Sequence, residues 1–493
     1  MFFKHVIEPF LESVEIFGRN NALCINEVFY SYIDLAQHVS KIRTQLQSVT
    51  KINTNIGLVV NDDIETYSSI FAIWLEGYAY VPLHPQQPHE RNLEIVMQAE
   101  IDMILDSSLC TEFDTKLVIE TNKLHFQLFN LIPKKSEDNL LAYILFTSGS
   151  TGKPKGVPIT YGNIGSFVEA FWNIGYHIDQ NDRCLQPFDL TFDLSVMSYL
   201  IPLIKGSCVY TVPHDQIRFS YIAQVLDEHS ITVALMVPST IRYLKPYFDE
   251  IMLPSLRYNL FCGEALPIDL INEWSQCIPN AFIDNVYGPT EDTIFCSYYR
   301  FQRNGSNKSF NGILSIGKTM TSGQMIIVND ENMEIADDIH GELCLSGTQL
   351  TPGYWNNPEK NSEMFFTDKL NRRFYKTGDI CFMDHGGDIF YVGRLDSQAQ
   401  IQGFRVELGE IEYYTQEFLE GVNAVALAFV NRIGNNEIGL CIEKPAFDIE
   451  PLISHLNSKL PSYMIPTQYQ FEQLFPLNLN GKTDRNRLKL KFK

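Results

Sequence analysis

No apolar run in the 493-residue sequence approaches the roughly 20 residues that a helix needs to cross a membrane. The opening stretch also carries Glu8, Glu12 and Glu15 where a secretory leader has an uncharged core. The expectation is therefore a cytoplasmic chain with no membrane insertion. Basic charge is in short supply: 38 lysines and arginines face 59 aspartates and glutamates, for a formal net charge of −21. Such a field repels a phosphate backbone, so no nucleic-acid partner is expected. The ten cysteines, scattered from Cys24 to Cys441, include no CxxC pair, which fits neither a zinc ribbon nor a dense disulfide framework. Histidines lack ligand spacing too. His84 and His89 bracket HPQQPH, a proline-broken loop rather than a helix face, so no protein metal cage is expected.

What is present is the composition of a folded globular chain, 45% hydrophobic and 20% charged, and too long for one core. Short apolar runs read as buried parallel strands: GLVV from Gly57, YAYVPL from Tyr78, LLAYILF from Leu140 and VALMV from Val233. Amphipathic patterns such as Gly165 to Tyr176 lie between them, so the fold class is α/β with sheets covered on both faces. Glycine-punctuated strands from Gly312 to Phe390 predict a β-rich, barrel-like subdomain closing a large domain of residues 1–394. A small mobile α+β domain, residues 395–493, comes next, with the hinge segment GRLDSQ, Gly393 to Gln398, at the boundary. Its first helix places Leu408, Ile411, Tyr414 and Phe418 on one face.

The sharpest local signal is FTSGSTGKPKG, Phe146 to Gly156, directly after a predicted strand. Glycines and small hydroxylated residues let backbone N–H groups approach a polyphosphate closely, and Lys153 or Lys155 supplies positive charge. It is not a Walker A loop, because Pro154 stands where that motif needs Ser or Thr. A glycine-rich surface turn is the alternative for an isolated loop of this kind.

The loop is one of a series. FYSYIDL, LEGYAYVPLHPQQP, SGSTGKPKG, FDLSVMSYL, FCGEALP, NVYGPTEDT, GELCLSGTQLTPGYW, YKTGD, GRLDSQAQIQGFRVELGEIE, LPSYMIP and NGKTDR occur in that order. With these blocks the chain resembles the adenylate-forming superfamily, which includes peptide-synthetase adenylation domains, acyl-CoA synthetases and luciferases. The resemblance implies ATP and Mg2+ as cofactors. It places Thr147, Ser148, Gly149, Ser150, Thr151, Gly152 and Lys155 at the β,γ-phosphates, Thr290 at the α-phosphate and Glu291 on the metal. Tyr287 is implied to stack on adenine with Gly263 and Glu264 along its edge. Asp379 is implied to accept from the ribose, and Asn285, Gly288 and Arg394 complete the nucleotide set. Lys482 resembles the catalytic lysine between substrate carboxylate and α-phosphate, where a cation offsets the repulsion of two anions. Asp396 resembles the hinge pivot. Gln400 departs from the lysine common at its position, which bears on thiol transfer alone.

Asp193, in FDLSVM, corresponds to the residue that pairs with an amino acid's α-ammonium in this superfamily. The alternative is an N-cap for a helix starting near Ser195. The same mapping makes Leu194, Met197, Leu235, Leu260, Cys262, Val286, Ile294 and Phe295 the pocket walls, all apolar, so a small uncharged amino acid is expected. FDLSVM and FCGEALP also resemble the D-alanine:carrier-protein ligases, although Val286 and Phe295 depart from them. The expected activity is adenylation of a small amino acid, D-alanine foremost, then transfer to the phosphopantetheine of a separate carrier protein. The remaining alternatives are a peptide-synthetase adenylation enzyme for another small amino acid, an acyl-CoA synthetase and a catalytically silent nucleotide-binding module.

Overall fold

In the computed structural model, residues 1–49, 54–113, 116–149, 152–213, 216–477 and 483–492 are described. Two large sheets dominate. One has six strands in the order Leu117–Glu120, Met103–Asp106, Asn55–Val59, Ala79–Leu83, Leu141–Thr147, Lys155–Thr160, all parallel except the last pair. The other has nine. Its six central strands are parallel and run in space Asn21–Ile25, Cys208–Thr211, Arg183–Gln186, Val233–Met236, Tyr258–Phe261, Phe282–Tyr287. Antiparallel strands finish both edges. The four apolar runs read as buried strands are all strands here, because each is apolar on both faces and is covered by helices.

The helices have local causes. Ser31 and Asp34 close a capping box at the start of Tyr32–Ser48. Asp63 caps Ile64–Glu76, which Gly77 ends at φ +78°. The helix expected over Gly165 to Tyr176 lies instead over Tyr161–Asn173, because Thr160 and Asn163 form a capping box upstream of the apolar stripe. One continuous apolar cluster runs beneath both large sheets and reaches Leu343, Leu345 and Tyr375.

The β-rich stretch differs from expectation in one respect. Gly323–Val328, Gly341–Gly347, Phe365–Thr367, Arg373–Met383 and Ile389–Arg394 form a five-stranded antiparallel sheet that does not close into a barrel among the described residues. Its strands range from three to eleven residues, too unequal to return edge to edge. After it, Gln398–Ile401 and Phe404–Glu407 form a hairpin, followed by a three-stranded sheet flanked by Leu408–Phe418 and Glu450–Lys459. The predicted face of Leu408–Phe418 packs inward, with Leu408 and Ile411 buried. These later elements have apolar clusters of their own, made solely of residues from Ala399 onward.

Candidate functional site

A cleft opens where the parallel strands end. Thr147 and Ser148 reach it from the end of Leu141–Thr147, Cys262 and Gly263 from the end of Tyr258–Phe261, and Tyr287, Gly288 and Thr290 from the end of Phe282–Tyr287. This is where an open parallel sheet receives ligands. Asp379 and Arg394 face it from the antiparallel sheet, and Gln400, Gly403, Arg405 and Tyr463 from the C-terminal part.

Asp193 lines this cleft and is only 7% exposed. It is the first residue of the helix Asp193–Leu203, whose cap is Phe192 with no side-chain acceptor, so the N-cap alternative does not describe it. Burial pushes its carboxyl up to about 7; the Thr290 hydroxyl bonded to it opposes the rise, and Glu291 adds to it. Asp193 has no ion-pair partner among the described residues. Arg405 opposes the rise as well, but its guanidinium is paired with Glu291, so the charge on Asp193 is only partly met and the site is electrostatically incomplete as it stands.

The neighbouring Glu291, 1% exposed, sits in the opposite environment. Arg405 Nη1 approaches Glu291 Oε2 at 3.0 Å, and the Tyr354 hydroxyl donates to Oε1 at 2.6 Å. Burial alone would raise its carboxyl, but Arg405, Tyr354 and Lys155 outweigh that and hold it down at about 2. Glu291 thus stays ionised wherever a cation faces it. A single carboxylate beside the glycine-rich loop fits Mg2+, a hard ion that takes few protein ligands and fills its shell with phosphate oxygens and water.

The loop after Thr147 is likewise engaged by the C-terminal part. Ser148 Oγ donates to the Arg405 carbonyl at 3.0 Å and accepts from the Glu407 amide at 3.0 Å. Gly149 N donates to Glu410 Oε2 at 3.2 Å, Lys155 Nζ meets Glu407 Oε1 at 2.7 Å, and the Tyr414 hydroxyl donates to the Gly152 carbonyl at 2.9 Å. A Cβ on Gly149 would lie 1.9 Å from the Lys153 carbonyl oxygen, so the loop's close turn requires glycine there. Ser150, Thr151 and Lys482 lie outside the described residues.

Asp379 accepts from the Tyr287 hydroxyl at 2.5 Å and from Arg394 Nη1 at 2.6 Å. Arg394 is in turn clasped by both carboxylate oxygens of Asp396 at 2.7 Å, which fixes the segment around Asp396 against Asp379 and Tyr287. Asn285 turns its amide to the Ser315 carbonyl at 2.9 Å, and Glu264 is held by the Ser239 amide and hydroxyl; neither lines the cleft. Of the predicted wall residues, Leu194 and Cys262 face the cleft, while Met197 and Leu235 line a small cavity behind it. Leu260, Val286, Ile294 and Phe295 are buried in the adjoining core, Phe295 edge-on to Phe167 with ring centroids 5.0 Å apart.

The sequence blocks assign no role to Arg405, Glu407, Glu410 or Arg91, yet the first three bond to the glycine-rich loop, and Arg91 Nη1 meets Glu410 Oε1 at 2.6 Å. The available signal was GFRVELGE itself, three charges where a short hairpin runs into a helix with a buried face. Gly403, at φ +86°, passes so close to Val237 that a Cβ would sit 2.5 Å from its Cγ1.

Residues 10–355 match the AMP-binding enzyme family, and the chain belongs to it. It is 30% identical over 442 residues to the D-alanine--D-alanyl carrier protein ligase of Bacillus licheniformis, an alignment covering 85% of this chain and 86% of that protein. It is 29% identical over 508 residues to gramicidin S synthase 1 of Brevibacillus brevis, an alignment covering 98% of this chain but only 44% of that protein. The chain thus spans less than half the length of the peptide synthetases it matches. Among solved structures, the Vibrio cholerae adenylation domain AlmE in complex with glycyl-adenosine-5'-phosphate superposes with a TM-score of 0.86 at 26% identity, over 98% of this chain and 97% of that one. Among the described residues no helix is long and apolar enough to cross a membrane.

Proposed function

We propose that the protein activates a small amino acid, D-alanine foremost, by adenylation and passes it to the phosphopantetheine thiol of a separate carrier protein. The observation that carries this reading is Asp193: a buried carboxylate in the cleft, hydrogen-bonded to Thr290, with no ion-pair partner of its own among the described residues and only a partial offset from Arg405, which is paired with Glu291. An α-ammonium group supplies the missing charge, and a fatty or aryl acid does not. The ligase from Bacillus licheniformis supports D-alanine, and the glycyl adenylate of the Vibrio cholerae domain supports a side chain of that size.

In the first step a carboxylate oxygen of the amino acid attacks the α-phosphorus of ATP, and the bond to pyrophosphate breaks. Asp193 holds the ammonium, Thr290 the α-phosphate, Asp379 and Arg394 the ribose side, Tyr287 the adenine, and Lys482 offsets the charge that develops. Glu291 would hold Mg2+, which when bound neutralises phosphate charge. In the second step a thiolate attacks the acyl carbon and AMP leaves. Residues 1–394 and 395–493 act as two bodies turning about Asp396. The present arrangement suits the second step, because Arg405, Glu407 and Glu410 take up the groups that would hold metal and phosphates. A narrow cavity that shares Phe192, Leu194 and Gly403 with the cleft gives a thiol arm a route in.

Amino-acid-dependent exchange of pyrophosphate into ATP, across a panel containing both alanine enantiomers and glycine, tests the reading. Exchange with one or more small amino acids is expected. No exchange with any amino acid refutes it.

A further inference from the structure

Far from the nucleotide cleft, the edge hairpin of the nine-stranded sheet turns at Asn26 and Glu27, both at positive φ, +49° and +62°. This turn brings Cys24 and Glu27 together across Cys-Ile-Asn-Glu, and the Glu27 backbone N–H donates to the Cys24 sulfur. The third member is His229, fixed as the C-cap of Arg218–Glu228 by its own backbone N–H on the Val225 carbonyl. Its ring is wedged against Tyr210 and Phe29 at centroid distances of 4.8 and 6.3 Å. His229 Nε2 lies 3.0 Å from Glu27 Oε2, and Tyr221 donates to Oε1 at 3.3 Å, which orients the carboxylate.

One donor atom from each of Cys24, Glu27 and His229 falls within 4.8 Å of the others, the one such group of three found among the described residues. Donors around a tetrahedral zinc stand about 3 to 4 Å apart, so small side-chain rotations close the set. The geometry points to a binding site here for a divalent transition metal of the zinc class, held by the Cys24 thiolate, the His229 imidazole and the Glu27 carboxylate, with water in the fourth position. A metal held here would depart from the expectation of no protein metal cage. Spacing along the sequence hid the site, since its histidine comes 202 residues after Glu27. Burial pushes the Cys24 thiol up to about 11, with Glu27 adding to the rise, so metal binding must displace a proton there. Softness of the donors separates this site from Glu291, which suits a hard ion. Bound metal would clamp the edge hairpin to the helix Arg218–Glu228.

The test uses the full chain, stripped with a chelator and titrated with Co2+. One equivalent is expected to bind with a thiolate-to-cobalt charge-transfer band, which no carboxylate site produces, and Zn2+ should abolish the band by displacement. Cys24→Ser should remove the band, whereas Cys110→Ser, at the exposed cysteine, should leave it. His229→Gln and Glu27→Gln, at partly exposed positions, should each weaken binding by more than the roughly 10- to 100-fold typical of losing an outer-shell partner. A wild-type protein without the band, a band that survives Cys24→Ser, or unchanged affinity in the His229 and Glu27 variants would each overturn the assignment.

Discussion

Replacing Asp193 with asparagine should move activity and stability in opposite directions, and the size of each change follows from its surroundings. In the ligand-free protein, burial lifts this carboxyl from an ordinary 3.8 to about 7. At 1.36 kcal/mol per decade of proton affinity, that sets an upper bound of about 4 kcal/mol on the cost of keeping it ionised at pH 8. The group is an acid whose folded value exceeds its unfolded one. Its penalty is therefore absent below about pH 4, grows as pH rises toward 7, and is full above that. Asparagine keeps the side-chain oxygen that accepts from Thr290 and removes the charge, so Asp193→Asn should raise the melting temperature at pH 8 and leave it unchanged at pH 4. With substrate bound the sign reverses. Losing one partner of a buried charge pair costs about 2 to 5 kcal/mol, so kcat/KM for the amino acid in pyrophosphate exchange should fall roughly 30- to 5,000-fold. Exchange within a few-fold of wild type, or a lower melting temperature at pH 8, would refute the claim that this carboxylate waits for an ammonium.

Three further outcomes are expected. Arg405→Ala strips the buried Glu291 of its guanidinium, and breaking a buried pair costs about 3 to 5 kcal/mol of the docked arrangement; single-turnover thiol transfer should fall by roughly a hundredfold or more, while pyrophosphate exchange falls far less. Equal loss in both assays would show that Arg405 does not govern which arrangement forms. Lys482→Ala should lower adenylation by roughly 100- to 1,000-fold, the range for one well-placed transition-state donor, while thiol transfer from preformed aminoacyl adenylate stays near wild type. Asp62, buried beneath the Tyr67 hydroxyl, is also pushed up to about 7 by burial, so it withdraws stability as pH rises from about 4 to 7. Asp62→Asn should flatten denaturant-measured stability across that window and add up to about 4 kcal/mol at pH 8; a slope equal to wild type would contradict it.

The identities of the groups at the cleft were legible because chemistry constrains them to short blocks. FTSGSTGKPKG had to follow a strand, and NVYGPTEDT had to end one, for their backbones to converge on one ligand. Strand positions were equally legible: an apolar run of four to seven residues, too short for a helix, has few other ways to be buried. Less legible was curvature. Unequal strands and a register shift between Glu342 and Cys344 left the predicted barrel as an open sheet, and those depend on partners remote in sequence.

The sequence by itself determined which charges this protein owns and in what order they come, and from that its family followed. What only the tertiary structure decided is which charges face each other. GFRVELGE carries an arginine and two glutamates whose partners no linear reading supplies, yet the fold sets Arg405 on Glu291 and Glu407 on Lys155 across more than a hundred residues each. The Cys24, Glu27 and His229 cluster arises in the same way. Burial and proximity between distant segments fix the energy of a charge, and neither is a property of its neighbours in the chain.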